Sequence, residues 1–324
     1  MAANLLDVDN LSVSFTTEAG EARVLDAVSF SIARGETLGL VGESGCGKSV
    51  TSLALMRLLP QPSGHITGGD IRLDGDSLLK KSIRDMHAIR GPRIGMIFQD
   101  AMTALNPVKR IREQLKESLT LHGQKLSKAA IQARCIELLG DVGIPEPALR
   151  LDDYPHQLSG GMRQRVMIAM ALAGDPDLLI ADEPTTALDV TVQAQILSLI
   201  QSIQAAHGMA VIFITHDLGV VEPLCQRVAV MYAGRIVETA PAQALFRDPK
   251  HPYTQGLLNS IPRLDREPLT PLPTIEGLVP SALNMPNGCR FAPRCPRATD
   301  RCTAEAPSMQ TTSDRTLACH EVSL

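Results

Sequence analysis

Gly42-Glu43-Ser44-Gly45-Cys46-Gly47-Lys48-Ser49 fits the pattern G-x-x-x-x-G-K-[ST], and its reading decides the fold. Thr37 to Val41 before it form a short apolar run that reads as a buried strand. Val50 to Leu59 after it read as a helix stopped by Pro60. A strand, a glycine-rich loop and a helix in that order make a phosphate cradle, or P-loop. Glycines let successive backbone N–H groups turn inward around phosphate oxygens without side-chain clashes. The helix N-terminus adds partial positive charge. Lys48 is then placed to reach the β- and γ-phosphates of a nucleotide, and the Ser49 hydroxyl to ligate Mg²⁺. The bland alternative is a glycine-rich turn that binds nothing; the strand before the loop and the motifs after it weigh against that.

Three further apolar runs end in polar residues. Leu178-Leu179-Ile180-Ala181 ends in Asp182-Glu183. A carboxylate at the end of a buried parallel strand is where an acid such as Asp182 holds Mg²⁺. The adjacent Glu183 is placed to polarise an attacking water as a general base. The alternative is an acidic pair that caps the next helix, after Pro184. Ile94 to Phe98 ends at Gln99. Ala210 to Thr215 ends at His216, which can reach a γ-phosphate; a lone His more often has a structural role, and here its strand-end position decides. Leu158-Ser159-Gly160-Gly161-Met162-Arg163-Gln164-Arg165 follows the loop Tyr154 to Gln157. Ser159 reads as the N-cap of a helix that runs through Ala173, and two glycines at a helix start give a second anion-binding end. Alone this stretch signals no more than a capped helix. Downstream of a P-loop it is a strong signal.

The remaining chain supplies the frame of an α/β fold. Leu5 to Phe15, Val24 to Ile32 and Gly68 to Gly75 read as strands ahead of or just beyond the P-loop. Val228 to Met231 and Arg235 to Glu238 read as a hairpin. Residues from about 100 to 172 read as a helical block inserted between strands, with Ile111, Leu115 and Leu119 at four-residue spacing. Phe15 offers a flat ring for an adenine, but its spacing alone suits a core residue better. Thr185-Thr186-Ala187-Leu188-Asp189 leads into an amphipathic helix, Val192 to Ala206.

The 324 residues exceed one ordinary core, so a large domain with an appendage is expected. Hydrophobic residues make up 44%, enough to fill it. The formal net charge of -4 argues against a general nucleic-acid surface, and with no Trp base-stacking platforms are scarce. Met1 to Asn10 show no signal peptide, and no apolar stretch of about 18 residues occurs, so any membrane role comes through partners.

In order and spacing, Gly42 to Ser49, Gln99, Leu158 to Arg165, Leu178 to Glu183, Leu188-Asp189 and His216 resemble the ATPase of ABC transporters over roughly residues 5 to 258. The resemblance implies a RecA-like P-loop NTPase core with an antiparallel β-subdomain and the inserted helical subdomain. It implies that Gly42, Glu43, Ser44, Gly45, Cys46, Gly47, Lys48, Ser49 and Val50 surround ATP, that Asp182, Ser49 and Gln99 hold Mg²⁺, and that Glu183, His216 and Gln99 act in hydrolysis. Cys46 stands where this loop often has Ser or Ala. The resemblance also implies two such domains facing head to tail, so that Ser159, Gly160, Gly161, Gln164 and Asp189 serve a partner's nucleotide. Tyr154 to Leu158, Thr185 to Val190, and His251-Pro252-Tyr253-Thr254 look like the dipeptide, oligopeptide and nickel importers, as does the tail Asn287 to Pro296. Two membrane permeases, a related second ATPase and an extracytoplasmic peptide-binding protein are then expected partners, with the chain peripheral at the cytoplasmic face of the bacterial inner membrane. A nickel or haem importer, a soluble ABC ATPase of translation or DNA repair, and a metal-sensing regulator are the alternative readings.

Residues 259 to 288 are proline-rich and read as a linker, ahead of a cysteine-rich extension over 289 to 324. Cys289, Cys295, Cys302 and Cys319 are spaced C-x5-C-x6-C-x16-C. Structural zinc favours tighter pairs, and the wider gaps suit a 4Fe-4S cluster better, to which the resemblance also points; zinc and four free thiols are the alternatives. His320 is a bystander or a replacement ligand.

Overall fold

A computed structural model describes residues 4–99, 104–121, 127–186, 188–262 and 273–324. The expected start of the helical block at 100 to 103, Ala187, and the middle of the linker lie outside these. The chain divides into two compact units. One, the P-loop unit, comprises Leu6–Ile32, Thr37–Leu79 and Ile214–Leu324. The other, the signature unit, comprises Ala33–Glu36, Lys80–Phe213 and the start of the chain.

In the P-loop unit, β1 (Asn4–Thr17) and β2 (Gly20–Ala33) are long antiparallel-sheet strands. They lie in a four-stranded sheet of order β2-β1-β4-β5, with β4 spanning Gly64–Leu73 and β5 Asp76–Ser77. β1 pairs with β4 antiparallel from Leu6 opposite Leu73 to Phe15 opposite Gly64. Between them in sequence come β3 (Thr37–Val41), buried throughout, and α1 (Lys48–Leu55). A fully buried apolar run of five residues fits a central parallel strand.

In the signature unit, α2 (Ile83–His87) carries a Ser82–Asp85 capping box, and β6 (Ile94–Ile97) follows. The predicted helical block is present as α3 (Ile111–Thr120), α4 (Lys128–Asp141), α5 (Pro147–Arg150) and α6 (Gly160–Leu172). Ile111, Leu115 and Leu119 are buried, as their spacing requires. β7 (Leu178–Asp182) runs parallel to β6, with Ile94 opposite Leu178 and Ile97 opposite Ala181. The amphipathic helix is α7 (Val190–His207). β8 (Ala210–Thr215) follows, and Ala210 N–H donates to Asp177 O at 2.8 Å.

The chain then returns to the P-loop unit with α8 (Val221–Leu224), β9 (Arg227–Tyr232), β10 (Arg235–Pro241), α9 (Ala242–Arg247), α10 (Pro252–Asn259), α11 (Asp300–Ala304), β11 (Gln310–Thr311) and β12 (Thr316–Leu317). β9 lies parallel to β3, β10 antiparallel to β9, and β12 antiparallel to β10, with Glu238 opposite Leu317. The last segment of the chain, through β11 and β12, therefore contributes strands to the sheet that carries the P-loop. No helix of the described residues is long and apolar enough to cross a membrane.

Candidate functional site

β3 delivers the chain into the P-loop at Gly42. A Cβ there would lie 2.2 Å from the Met231 carbonyl oxygen, so only glycine lets the loop leave the sheet at this point. Gly47, at φ 108°, precedes the first turn of α1, and a Cβ on it would meet Leu25 Cδ2 at 2.7 Å. Ser44 and Gly45 are exposed at the loop tip, whereas Cys46 is buried, and burial pushes its thiol up from the ordinary range. Lys48 is only 5% exposed. Its ammonium folds back over the loop, donating to Gly42 O at 2.7 Å and Glu43 O at 3.0 Å, with Cys46 Sγ at 3.8 Å. The loop carbonyls thus hold the cation inside the curve where a phosphate would be met. Ser49 and Val50 follow, half-buried, in the first turn of α1. Phe15 is half-buried against Gly64: a Cβ on that glycine would lie 2.9 Å from its ring. His216 is exposed just past the end of β8.

Two segments far along the chain grip Glu43. Its N–H donates to the Tyr253 hydroxyl at 2.8 Å, and its carboxylate accepts from both Nη atoms of Arg294, at 2.7 and 3.0 Å. Tyr253 is placed by the His-Pro-Tyr stretch. Glu238, fully buried, accepts the N–H groups of Lys250 and His251 at 2.9 Å each, at the start of α10. His251 Nδ1 in turn accepts the Tyr253 N–H at 3.0 Å. A buried carboxylate without such donors would cost several kcal/mol, so this start of α10 is strongly determined. Sequence reading used His251 to Thr254 only as a family mark; the role of Tyr253 and Arg294 has no local sequence signal.

In the signature unit, Asp182 closes β7 and is 4% exposed. Glu183 follows with φ 48°, a left-handed conformation that costs about 1–3 kcal/mol for a residue with a Cβ. Its Oε2 accepts from Gln99 Nε2 at 3.1 Å and from the Thr186 hydroxyl at 3.1 Å. The adjacent parallel strands β6 and β7 therefore bring Gln99 and Glu183 together. Ser159 caps α6, its hydroxyl accepting the Met162 N–H at 3.3 Å, which leaves Gly160 and Gly161 as the first helical residues. Asp189 caps α7 by accepting the Val192 N–H at 2.9 Å. Gln164 is 4% exposed, and its Nε2 finds no hydrogen-bond partner among the described residues, so it sits inside the helix packing.

The tail cysteines lie in one neighbourhood. Cys289 is within electrostatic range of Cys302 and Cys295, and Cys295 of Cys319 and Cys302. The backbone N–H of Ala292 donates to the Cys289 carbonyl oxygen at 3.0 Å, and that of Arg297 donates to Cys295 Sγ at 3.4 Å. Burial pushes both thiols up. Among the described residues, however, no three His, Cys, Asp or Glu side chains are gathered closely enough to hold one metal ion. His320 is engaged elsewhere, its Nε2 lying 3.0 Å from Glu305 O.

Residues 25–186 match the family model described as ABC transporter, and residues 237–302 match that of the oligopeptide/dipeptide transporter C-terminal region. The chain is 50% identical over 319 residues to the dipeptide transport ATP-binding protein DppD of Escherichia coli, covering 98% of this chain and 96% of that protein. It is 53% identical over 303 residues to the probable peptide ABC transporter ATP-binding protein y4tR of Sinorhizobium fredii, covering 94% of this chain and 90% of that protein. Among solved structures, a dimeric post-hydrolysis state of the ATP-binding cassette MJ0796 bound to ADP and Pi superposes with a TM-score of 0.66 at 26% identity, covering 73% of this chain and 98% of that one. With the P-loop, the strand-end acids and the capped signature helix all present in order, the chain belongs to the ABC transporter family, as an ATP-binding subunit of the peptide and dipeptide importers.

Proposed function

We propose that the chain hydrolyses ATP to power the import of di- and oligopeptides through a membrane ABC transporter. The observation that carries this reading is the pairing of a full set of ATPase motifs with a C-terminal region shared with oligopeptide and dipeptide transporters. Lys48 neutralises phosphate charge once it leaves the carbonyls of its own loop. The hard oxygens of Ser49, Asp182 and Gln99 suit Mg²⁺, which offsets charge on the phosphates when bound. Glu183, oriented by Gln99 and Thr186, takes the proton of the attacking water. His216 contacts the γ-phosphate, and Phe15 lies under the adenine. Ser159, Gly160, Gly161, Gln164 and Asp189 serve the nucleotide of a second ATPase. The partners are two permeases, a related ATPase chain and an extracytoplasmic peptide-binding protein, with this chain peripheral at the cytoplasmic face. Residues 5–258 form the ATPase domain, 259–288 the linker and 289–324 the extension.

For the extension, soft sulfur ligands, Cys295 among them already accepting the Arg297 N–H, suit an iron–sulfur cluster, whose ligands stand farther apart than those of a single ion. Cys289, Cys295, Cys302 and Cys319 would hold it, and it would serve structure or redox regulation.

The test of the central reading is Glu183→Gln in the transporter assembled with its permeases. Mg-ATP binding should persist while turnover and peptide uptake fall by about 10²–10⁴-fold, the span of a lost general base. Ordinary turnover in this variant would refute the assignment.

A further inference from the structure

The geometry points to Arg294 as a positioning residue for the P-loop: it cancels the charge of Glu43 and fixes the first turn of the loop, so that the C-terminal extension sets how tightly the loop takes a polyphosphate. This rests on the reading of the loop as an ATP site.

A loop that gathers N–H dipoles around an anion is a poor place for a carboxylate. Glu43 is the first variable position of that loop, and its unopposed charge would repel the phosphates. The counter-charge comes from 251 residues away. The Arg294 side chain is 4% exposed, and it forms a two-pronged contact with both Glu43 oxygens. Its remaining donors are taken: Nε by Glu276 O at 2.9 Å, Nη2 also by Ile275 O at 3.0 Å, and Nη1 also by the Tyr232 hydroxyl at 3.4 Å. The guanidinium carbon lies 5.8 Å from the centre of the Tyr232 ring. A fork so fully engaged holds one orientation, and with it one orientation of Glu43. The Tyr253 hydroxyl binds the backbone of the same residue, so Glu43 is fixed at both ends. Four positions before Arg294, Arg290 is anchored in a similar way. It donates to Asp26 and to Ala233 O, and Phe291 packs edge-on against Tyr232 with ring centres 5.2 Å apart. The stretch from 290 to 294 is thereby seated on the P-loop unit, and the cysteines at 289 and 295 bracket it.

The experiment is calorimetric titration of the full-length chain with Mg-ATP. Arg294→Gln should bind about tenfold more weakly, because Glu43 is left uncompensated beside the phosphates. Adding Glu43→Gln to that variant should bring affinity back to within about twofold of the unaltered chain, since the liability is gone. A double variant as weak as the single one would show that Arg294 acts through the fold alone, and would overturn the proposal. Should Arg294→Gln not fold, Arg294→Lys serves instead. It should cost several-fold in the native loop and nothing beside Glu43→Gln; equal cost in both backgrounds would overturn the proposal. The titration of the unaltered chain separates the two readings: no binding there would defeat the ATP assignment itself.

Discussion

Glu183 shows how much of a candidate site residue's placement can be read from its neighbours. Its position at the end of an apolar run was legible, and so was that of Gln99. Parallel pairing of β6 and β7 then makes their contact at 3.1 Å a direct consequence of two strand-end positions. The strain at Glu183 was not legible, since no glycine or Asn marks the left-handed site. Nor was the pair Glu43 and Arg294, because two charges separated by 251 residues leave no periodic trace. His251 is another such residue. It is 1% exposed, and burial pulls its pKa down from 6.5 to about 4, against a hydrogen bond to the Ala318 backbone that favours the charged form. The unfolded chain takes up a proton near pH 6.5 while the folded chain stays neutral until about pH 4. Stability should therefore be fully present above pH 6.5 and fall as pH drops from there toward 4, by about 3 kcal/mol from this group. Denaturant unfolding of the chain and of His251→Asn, which keeps a capping acceptor but does not titrate, should show a shallower acid slope in the variant. Equal slopes would assign the acid sensitivity elsewhere.

At the scale of elements, long buried runs were readable and short or irregular ends were not. β3, β7 and β8 lie where apolar runs placed them, and Ser159 caps α6 as read. α1 differs at both ends. It begins at Lys48 and stops at Leu55, well before the visible stop at Pro60. The closing device is a Schellman turn: Leu58 N–H reaches Leu53 O at 2.8 Å and Arg57 N–H reaches Ala54 O at 3.0 Å. Its left-handed position is usually glycine, but here it is Arg57, at φ 50°, and Nη1 of Arg57 is tied to Leu78 O at 3.1 Å. Tertiary contact replaced the sequence signal. β11 and β12, two residues each, are too short for any pattern. The cysteine spacing was plain, and the described tail brings Cys289, Cys295, Cys302 and Cys319 near one another. Chain purified without oxygen should carry iron and acid-labile sulfide, with broad visible absorbance. Cys295→Ser should lose both and expose residues 289 to 319 to protease. Stoichiometric zinc without sulfide, or no metal at all, would end the cluster reading.

For the whole molecule, the head-to-tail pairing proposed above would put the Ser159-capped start of α6 at the nucleotide of a second ATPase. We predict that the isolated chain is a weak ATPase, and that its specific activity rises with protein concentration or on adding the permeases and second ATPase. Full activity in a demonstrated monomer would contradict this. The extension has a further consequence at this scale. β12 lies along β10, whose middle residues, from Ile236 to Ala240, are all buried. Were the chain cut at the linker, β10 would become a bare sheet margin, with unsatisfied amides and aliphatic side chains in water. Such margins recruit strands from other molecules. β12 and β11 cover that margin and end it after two residues each, too short to template another chain. The tail is thus also a guard against polymerisation, present from the moment the sheet is complete.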